Sequence, residues 1–394
     1  MREVAIIGCG MTKFGRRGDR SLIDLMVEAS VKAIEHAGID KKRIDALYAA
    51  SMLCGELTHQ TAIASALADE LGILPAAAER LENGPASGGS AVKNAFLAVA
   101  SGLYDFVLVT GGEKMRHVAG DVITDLLATM SHPTAEYIHG VTLPSLAAMF
   151  ARLYMKKYGV TRKHLALVAV KNHANALKNP YAHIHRPLTI EGIYSAPEAE
   201  VNNPVVADPL RLFDFCPVTD GAASVLLCPA EKAREFCDTI VVISGIGHAT
   251  DTLAVHERED PTILKAVRLS AEMAFKMAKT SPKDIDVVEL HDAFTILEIA
   301  ESEDAGFFEK GTGHKALEEG VTALDGDLPI NPSGGLKARG HPVGATGVAQ
   351  LVELTWQLRG EAGKRQVEGA EQAFSCNLGG FGNNVVSFVL KRVR

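Results

Sequence analysis

The chain of 394 residues repeats one order of predicted elements. Each copy reads strand, helix, strand, a turn rich in Gly and Ser that opens a second helix, and a last strand. The two turns are Ser87–Ala91 and Gly344–Val348, and the segments that lead into the second strand, Ile44–Leu47 and Ile285–Val288, hold the same place in both copies. Two copies of such a unit indicate an internal duplication, and therefore two halves of similar topology.

Strands that alternate with helices predict sheets covered by helices on both faces, so the fold class is α/β. The alternation stops between residues 116 and 215, a stretch rich in His, Asn and Pro that we interpret as an inserted loop or lid domain. Asp220–Leu227 then predicts a strand that returns to the first half. We expect three parts: an N-terminal half over 1–115 completed by about 216–237, the insertion over 116–215, and a C-terminal half over 238–394.

Composition argues against several function classes. The chain has 40 Lys and Arg against 48 Asp and Glu, so it carries no basic field for nucleic acid. Its apolar runs are far shorter than the ~18 residues that cross a membrane. The N-terminus lacks the apolar core of a signal peptide, so we expect a cytoplasmic protein without a membrane span. None of the six Cys forms a Cys-x-x-Cys pair, and no metal site is expected.

Four segments gather residues that carry chemistry at predicted strand ends or helix starts. They are Leu81–Gly89, Glu289–Phe294, Asn331–Gly344 and Ser375–Gly382. Free backbone N–H groups at such places can bind an oxyanion. These segments form the candidate site.

Two of these segments carry a family resemblance. Gly340–Gly347, preceded by Asn331–Gly335, closely resembles the signature of the thiolase superfamily, and His291–Phe294 is similar to its sterol-carrier-protein-type and archaeal branch, which is acetyl-CoA acetyltransferase-like. The resemblance covers essentially the whole chain. Further segments that match the branch are Tyr104–Asp105, Gly111–Met115, Asn179–Tyr181 and Ala207–Leu210.

The resemblance implies a duplicated, five-layered α-β-α-β-α fold with an inserted loop domain, assembled as a homodimer or larger. It also implies acyl-coenzyme A substrates, with coenzyme A as a substrate and no tightly bound cofactor. The family reaction is a reversible Claisen condensation, which runs backward as thiolytic cleavage of a β-ketoacyl-CoA. Members of this branch often work with a small zinc-binding OB-fold protein, so such a partner is expected here.

The resemblance assigns roles to two histidines and a glycine loop. It implies that His341 helps to activate the nucleophile and donates to a thioester or enolate oxygen, and that His291 completes this oxyanion hole. A neutral His offers one donor and one acceptor, so both tasks are feasible near neutral pH. Gly379 and Gly380 are expected to bring a backbone N–H to the substrate, because glycine has no side chain.

One position departs from the family pattern. Where the family carries its acyl-accepting cysteine, just before Ala-Ser-Gly, this chain has Pro85. Proline supplies neither a thiol nor a backbone N–H, so it removes the nucleophile and one amide of the second oxyanion hole. An acyl-enzyme at this position is therefore excluded.

A second departure lies near the C-terminus, where many thiolases place an acid/base cysteine in a Cys-x-Gly turn. With the glycines aligned, Asn377 takes that place and Cys376 lies one residue earlier. The branch's other option, a cysteine inside the His-Asp-x-Phe motif, is Ala293 here. Cys376 is therefore a candidate acid/base or substitute nucleophile, and the alternative is a buried cysteine at a strand end.

Two hypotheses for the function remain. The first is a thiolase-like acyltransferase that cleaves or forms a β-ketoacyl-CoA by an altered route, through direct attack of CoA thiolate with His341 as base, or through Cys376. The second is a catalytically impaired acyl-CoA-binding subunit of a hetero-oligomeric complex. The intact histidine motifs favour the first. The acyl group and the residues that bind coenzyme A are not specified by any motif.

Overall fold

The computed structural model describes residues 1–393. Its strands are β1 (Val4–Met11), β2 (Ala46–Ala50), β3 (Ala77–Leu81), β4 (Val107–Glu113), β5 (Val205–Ala207), β6 (Leu210–Arg211), β7 (Gly221–Pro229), β8 (Ile240–Thr250), β9 (Val287–Glu289), β10 (Gln372–Gly379) and β11 (Asn384–Val393). Its helices are α1 (Leu22–Ala37), α2 (Cys54–Thr58), α3 (Ile63–Leu71), α4 (Ser87–Ser101), α5 (Gly120–Ala128), α6 (Leu143–Tyr158), α7 (Arg162–Ala176), α8 (Ala199–Asn202), α9 (Ala230–Ala233), α10 (Lys265–Ala278), α11 (Thr295–Asp304), α12 (Gly313–Glu318), α13 (Gly335–Arg339) and α14 (Thr346–Arg359). No helix in this part of the chain is long and apolar enough to cross a bilayer.

The strand order confirms the internal duplication. The main sheet runs β3-β2-β4-β7-β1 through the first half and β8-β11-β10-β9 through the second. Strand pairs that correspond in the two halves have the same direction. The pair β1–β7 corresponds to β8–β11, and β4–β7 corresponds to β10–β11; all four are antiparallel. The pair β2–β4 corresponds to β9–β10, and both are parallel. An isolated parallel bridge from Val288 to Ile330 stands where the first half has β3. A short antiparallel contact between β1 and β8 joins the two half-sheets.

The helices form three layers around the two half-sheets. Helices α1 and α3 pack on the outer face of the first half-sheet, α4 and α14 lie between the half-sheets, and α10 covers the outer face of the second. Neighbouring strand residues point to different layers, so Ile6 joins the central apolar cluster and Ile7 the outer one. The five-layered α-β-α-β-α fold is thereby confirmed.

The two central helices begin side by side. A Cβ atom added to Gly88, at the start of α4, would lie 2.9 Å from the backbone nitrogen of Val348, at the start of α14. Only glycine allows this approach, which explains the Gly-rich turns of both halves. The N-termini of α4 and α14 therefore meet at one point of the molecule.

The segment between the halves is more regular than a loop domain. It forms helices α5 to α8 and the small ribbon of β5 and β6. Helix α7 packs against α11 and α13 of the second half. The returning strand is confirmed as β7, which lies between β4 and β1. The boundaries of the three parts stay predictions.

Candidate active site

A cavity of about 160 Å³ lies where segments of both halves and the insertion meet. Pro85, His291, His341 and Gly380 line it, so four of the residues selected from the sequence share one space. Most of the remaining wall is apolar, and includes Ile123, Leu127, Met130, Phe215, Phe294 and Phe381. The cavity thus combines a largely water-excluding wall with two imidazole rings.

Pro85 is held in a tight turn directly before α4. The N–H of Ala86 donates to the carbonyl of Asn83 at 3.1 Å, and the Ser87 hydroxyl donates to the carbonyl of Gly84 at 2.6 Å. The same hydroxyl accepts from the N–H of Asn83 at 2.8 Å. These bonds within the turn fix residue 85 at the cavity, where its ring contributes neither a donor nor a nucleophile.

His341 precedes α14 and contacts the first residue of that helix. Its Nδ1 lies 2.6 Å from the hydroxyl of Thr346, and this hydroxyl donates to the carbonyl of Pro342 at 3.1 Å. Because the hydroxyl has one proton, Nδ1 of His341 carries the hydrogen of their shared bond, and Nε2 keeps its lone pair. Burial lowers the pKa of His341 from 6.5 to about 3, and Arg339 adds to this shift. The ring is therefore a neutral base.

His291 follows β9 and faces His341 edge-on. The ring centroids are 4.9 Å apart and the planes are nearly perpendicular, at 89°. The backbone N–H of His291 donates to Oε2 of Glu301 at 2.8 Å, and Nδ1 lies 3.2 Å from the amide nitrogen of Asn377. Burial, with smaller contributions from His341 and Arg339, holds the pKa of His291 well below 6.5. Both rings are thus neutral at physiological pH.

Buried carboxylates hold the two histidine loops. Glu113 accepts from the N–H of Gly344 at 3.1 Å, just after His341. Glu289, just before His291, binds Arg339 Nη1 at 3.0 Å in an ion pair that is fully buried. Asp292 accepts from the N–H of Leu336 at 2.7 Å. These bonds cross-link the loops over long stretches of chain and place the rings side by side.

The glycine turn after β10 completes the site. A Cβ atom on Gly379 would lie 2.9 Å from the carbonyl oxygen of Asn83, so this residue allows the Pro85 turn to pack closely. Gly380 lines the cavity, and within residues 1–393 no protein group accepts a hydrogen bond from its N–H. That N–H is available to an oxyanion. Asn377 lies behind the cavity wall and donates to the carbonyl of Pro85 at 3.1 Å.

Three of the selected residues do not line the cavity: Gly379, Asn377 and Cys376. Gly379 packs against the Pro85 turn rather than presenting its N–H to the cavity as expected, and Asn377 donates to that turn. Cys376 lies on the other face of the strand. It is fully buried in the apolar cluster of the second half, and its neighbour along the strand, Asn377, points to the opposite face. Its sulfur contacts the Ser387 hydroxyl at 3.7 Å, and burial raises the pKa of the thiol well above 9.0. This placement does not favour a catalytic Cys376, because its thiol does not line the cavity.

Cys216 lines the cavity and was not selected from the sequence. Burial raises the pKa of its thiol to about 12, so it is not a ready thiolate. No motif distinguishes it from the other cysteines. Among residues 1–393, no group of three or more His, Cys, Asp and Glu side chains is arranged to hold a metal ion.

Duplicated halves and a cavity with two histidines define a class of protein. The chain belongs to the thiolase family, which includes acyl-CoA C-acyltransferases. Residues 4–231 match the thiolase N-terminal domain, and residues 247–392 match the thiolase C-terminal domain-like family.

Particular relatives make the family membership more specific. The chain is 49% identical over 392 residues to an acetyl-CoA acetyltransferase of Methanothermobacter thermautotrophicus, with 100% of both chains covered. It is 32% identical over 410 residues to human sterol carrier protein 2, covering 98% of this chain and 72% of that protein. The solved Ltp2-ChsH2(DUF35) aldolase superposes with a TM-score of 0.81 at 25% identity, over 99% of this chain and 97% of the other.

Proposed function

We propose that this protein forms or cleaves the bond between the α and β carbons of a β-oxygenated acyl-CoA, with no acyl group carried on residue 85. One observation carries the proposal: the cavity presents two neutral histidines, while Pro85 stands where the family resemblance expects the nucleophile. A base and an oxyanion donor are sufficient for enolate chemistry. A covalent acyl intermediate needs a nucleophile as well.

The reaction that this set of groups serves best is aldol-type cleavage of a β-hydroxyacyl-CoA, and its reverse. Nε2 of His341 takes the proton of the β-hydroxyl group, the bond between the α and β carbons breaks, and its electron pair forms the thioester enolate. His291 and the N–H of Gly380 stabilise the enolate oxygen. The protonated His341 then returns the proton to the α carbon, and the products are an acyl-CoA and an aldehyde or ketone.

Space favours this reaction over thiolysis. Direct thiolysis brings the sulfur of a second coenzyme A to the β carbon while the first is still attached. The family's acyl-enzyme avoids this crowding, because the two coenzyme A molecules enter in turn. A cavity of about 160 Å³ holds one acyl end more readily than two thiol-bearing chains. The similarity to a solved aldolase on the same fold supports this choice.

The cavity also suggests the size of the substrate. Its volume is close to the ~150 Å³ of an apolar protein cavity that binds one benzene molecule. The wall is apolar and carries the three aromatic rings of Phe215, Phe294 and Phe381. We therefore propose a short or single-ring acyl substrate.

Thiolytic cleavage of a β-ketoacyl-CoA is the second candidate, and the name of the archaeal relative favours it. In this version His341 deprotonates free coenzyme A, whose sulfur attacks the β-keto carbon. The bond between the α and β carbons then breaks, its electron pair forms the enolate of the shortened acyl-CoA, and the protonated His341 returns the proton to the α carbon. An impaired acyl-CoA-binding subunit is the third. The solved aldolase is a complex with a DUF35 chain, which supports the proposal that a small partner, expected to be a zinc-binding OB-fold protein, accompanies this chain. A homodimer is proposed as well.

One product analysis separates these candidates. The purified protein is incubated with a short β-hydroxyacyl-CoA, and separately with the matching β-ketoacyl-CoA with and without free coenzyme A. We expect acyl-CoA and a free carbonyl compound from the hydroxy substrate, without added coenzyme A and without a covalent adduct by intact-protein mass spectrometry. If only the keto substrate is turned over, and only when free coenzyme A is present, the reaction is thiolysis. Tight binding without turnover of either substrate would establish the binding subunit.

The pH profile offers an independent prediction. A histidine base works in its neutral form, so the rate falls only when pH drops toward its pKa. Because the pKa of His341 is lowered to about 3, we expect kcat to stay level from about pH 8 to about pH 5, with no acid limb near 6.5. Steady-state rates across this range check it, with circular dichroism at each pH to confirm folding. Titration of the His341 ring near 6.5, followed by ¹⁵N NMR in folded protein, would contradict the neutral-base assignment. An acid limb of kcat there is not sufficient, because burial raises the pKa of Glu113, Glu289 and Asp292 to about 7.

A further inference from the structure

Asn377 sits behind the cavity with every polar atom of its side chain in use. Its Oδ1 accepts from the backbone N–H of Gly89 at 3.0 Å. Its Nδ2 donates to the carbonyl of Pro85 at 3.1 Å and contacts Nδ1 of His291 at 3.2 Å. The side chain is 1% exposed, so water does not compete for these bonds. One amide thus connects the start of α4, the Pro85 turn and a ring of the active site.

The orientation of this amide is set by two backbone groups, one of which can only donate and the other only accept a hydrogen bond. A backbone N–H can only donate, so the atom facing Gly89 is the oxygen. A backbone carbonyl can only accept, so the atom facing Pro85 is the nitrogen. A Cβ atom on Gly89 would lie 2.9 Å from Oδ1, so glycine at this position lets the amide approach the start of α4. Both conclusions are independent of the protonation of His291.

The remaining hydrogen of the amide determines the state of His291. It points at Nδ1, which must therefore accept, and a neutral ring then carries its single proton on Nε2. Within residues 1–393 Nε2 has no hydrogen-bond partner, and the ring lines the cavity. We propose that Asn377 is a positioning residue that fixes the tautomer of His291 so that an N–H, rather than a lone pair, faces the substrate oxygen.

The catalytic role of this tautomer rests on the proposed function. The inference also explains how the two histidines of the cavity come to have different roles. Thr346 makes Nδ1 of His341 a donor, so Nε2 of that ring keeps its lone pair and can act as a base. Asn377 makes Nδ1 of His291 an acceptor, so Nε2 of that ring carries the proton and can donate it in a hydrogen bond. Two identical side chains whose rings lie 4.9 Å apart thereby acquire different tasks. Neither task requires a charge on either ring.

Asn377→Asp is the test, because the substitution changes the hydrogen-bonding role with little change in shape. One carboxylate oxygen still accepts from Gly89. The other loses the bond to the carbonyl of Pro85, faces Nδ1 of His291, and draws a proton to Nδ1, because this carboxylate oxygen and the carbonyl of Pro85 are both acceptors. In protein with ¹⁵N-labelled histidine we expect Nδ1 of His291 to be bare in the parent protein and protonated in the variant. The signal is assigned by its loss in His291→Gln. An unprotonated Nδ1 in the Asp variant, or a protonated one in the parent, overturns the inference.

Kinetics provide a second readout that a merely structural role would not move. At neutral pH we expect kcat of Asn377→Asp to fall about 10²-fold, with a much smaller change in KM, since one oxyanion donor is lost. The added carboxylate raises the pKa of His291, so the ring gains its second proton as pH falls and the N–H returns. The variant should therefore recover kcat toward acid pH relative to the parent, in which His341, Arg339 and Glu301 face the same residue, His291. A uniform loss at all pH values contradicts the inference.

Two further variants keep the test decisive. Asn377→Ser removes the Nδ2 donor without adding a charge, so mixed tautomers and a smaller kcat loss are expected even if the Asp variant does not fold. Asn175→Asp makes the same substitution at another buried amide, which donates to the carbonyl of Asn331 away from the cavity wall, and should leave the His291 signal unchanged. The NMR measurement of the tautomer does not depend on turnover. The tautomer assignment can therefore be confirmed even if the proposed reaction is wrong, and the proposed reaction can be confirmed even if the tautomer assignment is wrong.

Discussion

Replacing His341 by Asn is expected to lower kcat by about 10²–10⁴-fold, the usual contribution of a general base. Asn has an amide near the position of Nδ1, so it can keep the bond to Thr346, but it has nothing where Nε2 faces the cavity. The loss should appear in kcat more than in KM, because the missing proton transfer belongs to the reaction step. Steady-state turnover of the short acyl-CoA substrate measures it.

The control for this variant is His256→Ala. His256 is exposed on a short 3₁₀ turn and does not line the cavity, so its loss should change neither kcat nor the melting temperature measurably. Thermal unfolding of the His341 variant shows whether the fold survives. Turnover of a folded His341→Asn protein at the rate of the parent would exclude His341 as the base, and with it the proposed reaction.

Pro85→Cys is expected to create an activity that the chain lacks. The new thiol would lie at the cavity and directly before the N-terminus of α4, where the helix dipole lowers a thiol pKa. After incubation with a short acyl-CoA we expect one acyl group per chain on residue 85, seen by intact-protein mass spectrometry and mapped by digestion. The adduct should accumulate, because Ala293 and Asn377 leave the site without the second cysteine that the family resemblance predicts.

Pro85→Ala is the matched control for this gain. It restores the backbone N–H that proline lacks but supplies no thiol, so it should form no adduct. If only the cysteine variant is acylated, the missing thiol alone separates this chain from acyl-enzyme chemistry. A folded Pro85→Cys protein whose thiol reacts with iodoacetamide but never with an acyl-CoA would show that the cavity cannot place a thioester at residue 85.

Local signals in the sequence were sufficient for the repeated elements of the two halves and for the histidine motifs, but not for helices α5 to α8 of the insertion. Helix α1 illustrates this: Ser21 caps its start, with Asp24 returning the bond, and Gly38 ends it in the left-handed conformation. His291 and His341 stand in short motifs whose position between a strand and a helix could be predicted. The duplication could be predicted too, because both halves repeat the same order of elements.

Contacts between distant parts of the chain could not be predicted in this way. Pro85 and Asn377 are 292 positions apart, and their hydrogen bond exists only once both half-sheets are folded around the central helices. The side on which Cys376 lies could not be predicted for a related reason. In a strand, a shift of one residue moves a side chain to the other face, so aligning glycines does not tell whether residue 376 or 377 faces the site. The register with β11 decides it.

The unequal ends of the duplicated sheet limit how copies of this chain can join by strand addition. The outer edge beyond β9 is already covered, since the backbone of Val288 bonds to Pro329 and Asn331. The other end stops at β3, whose residues are partly exposed. Among residues 1–393, the main sheet therefore has one open edge for strand addition. Two copies that meet there use up both edges, so growth by this contact stops at a pair and cannot continue into a fibre.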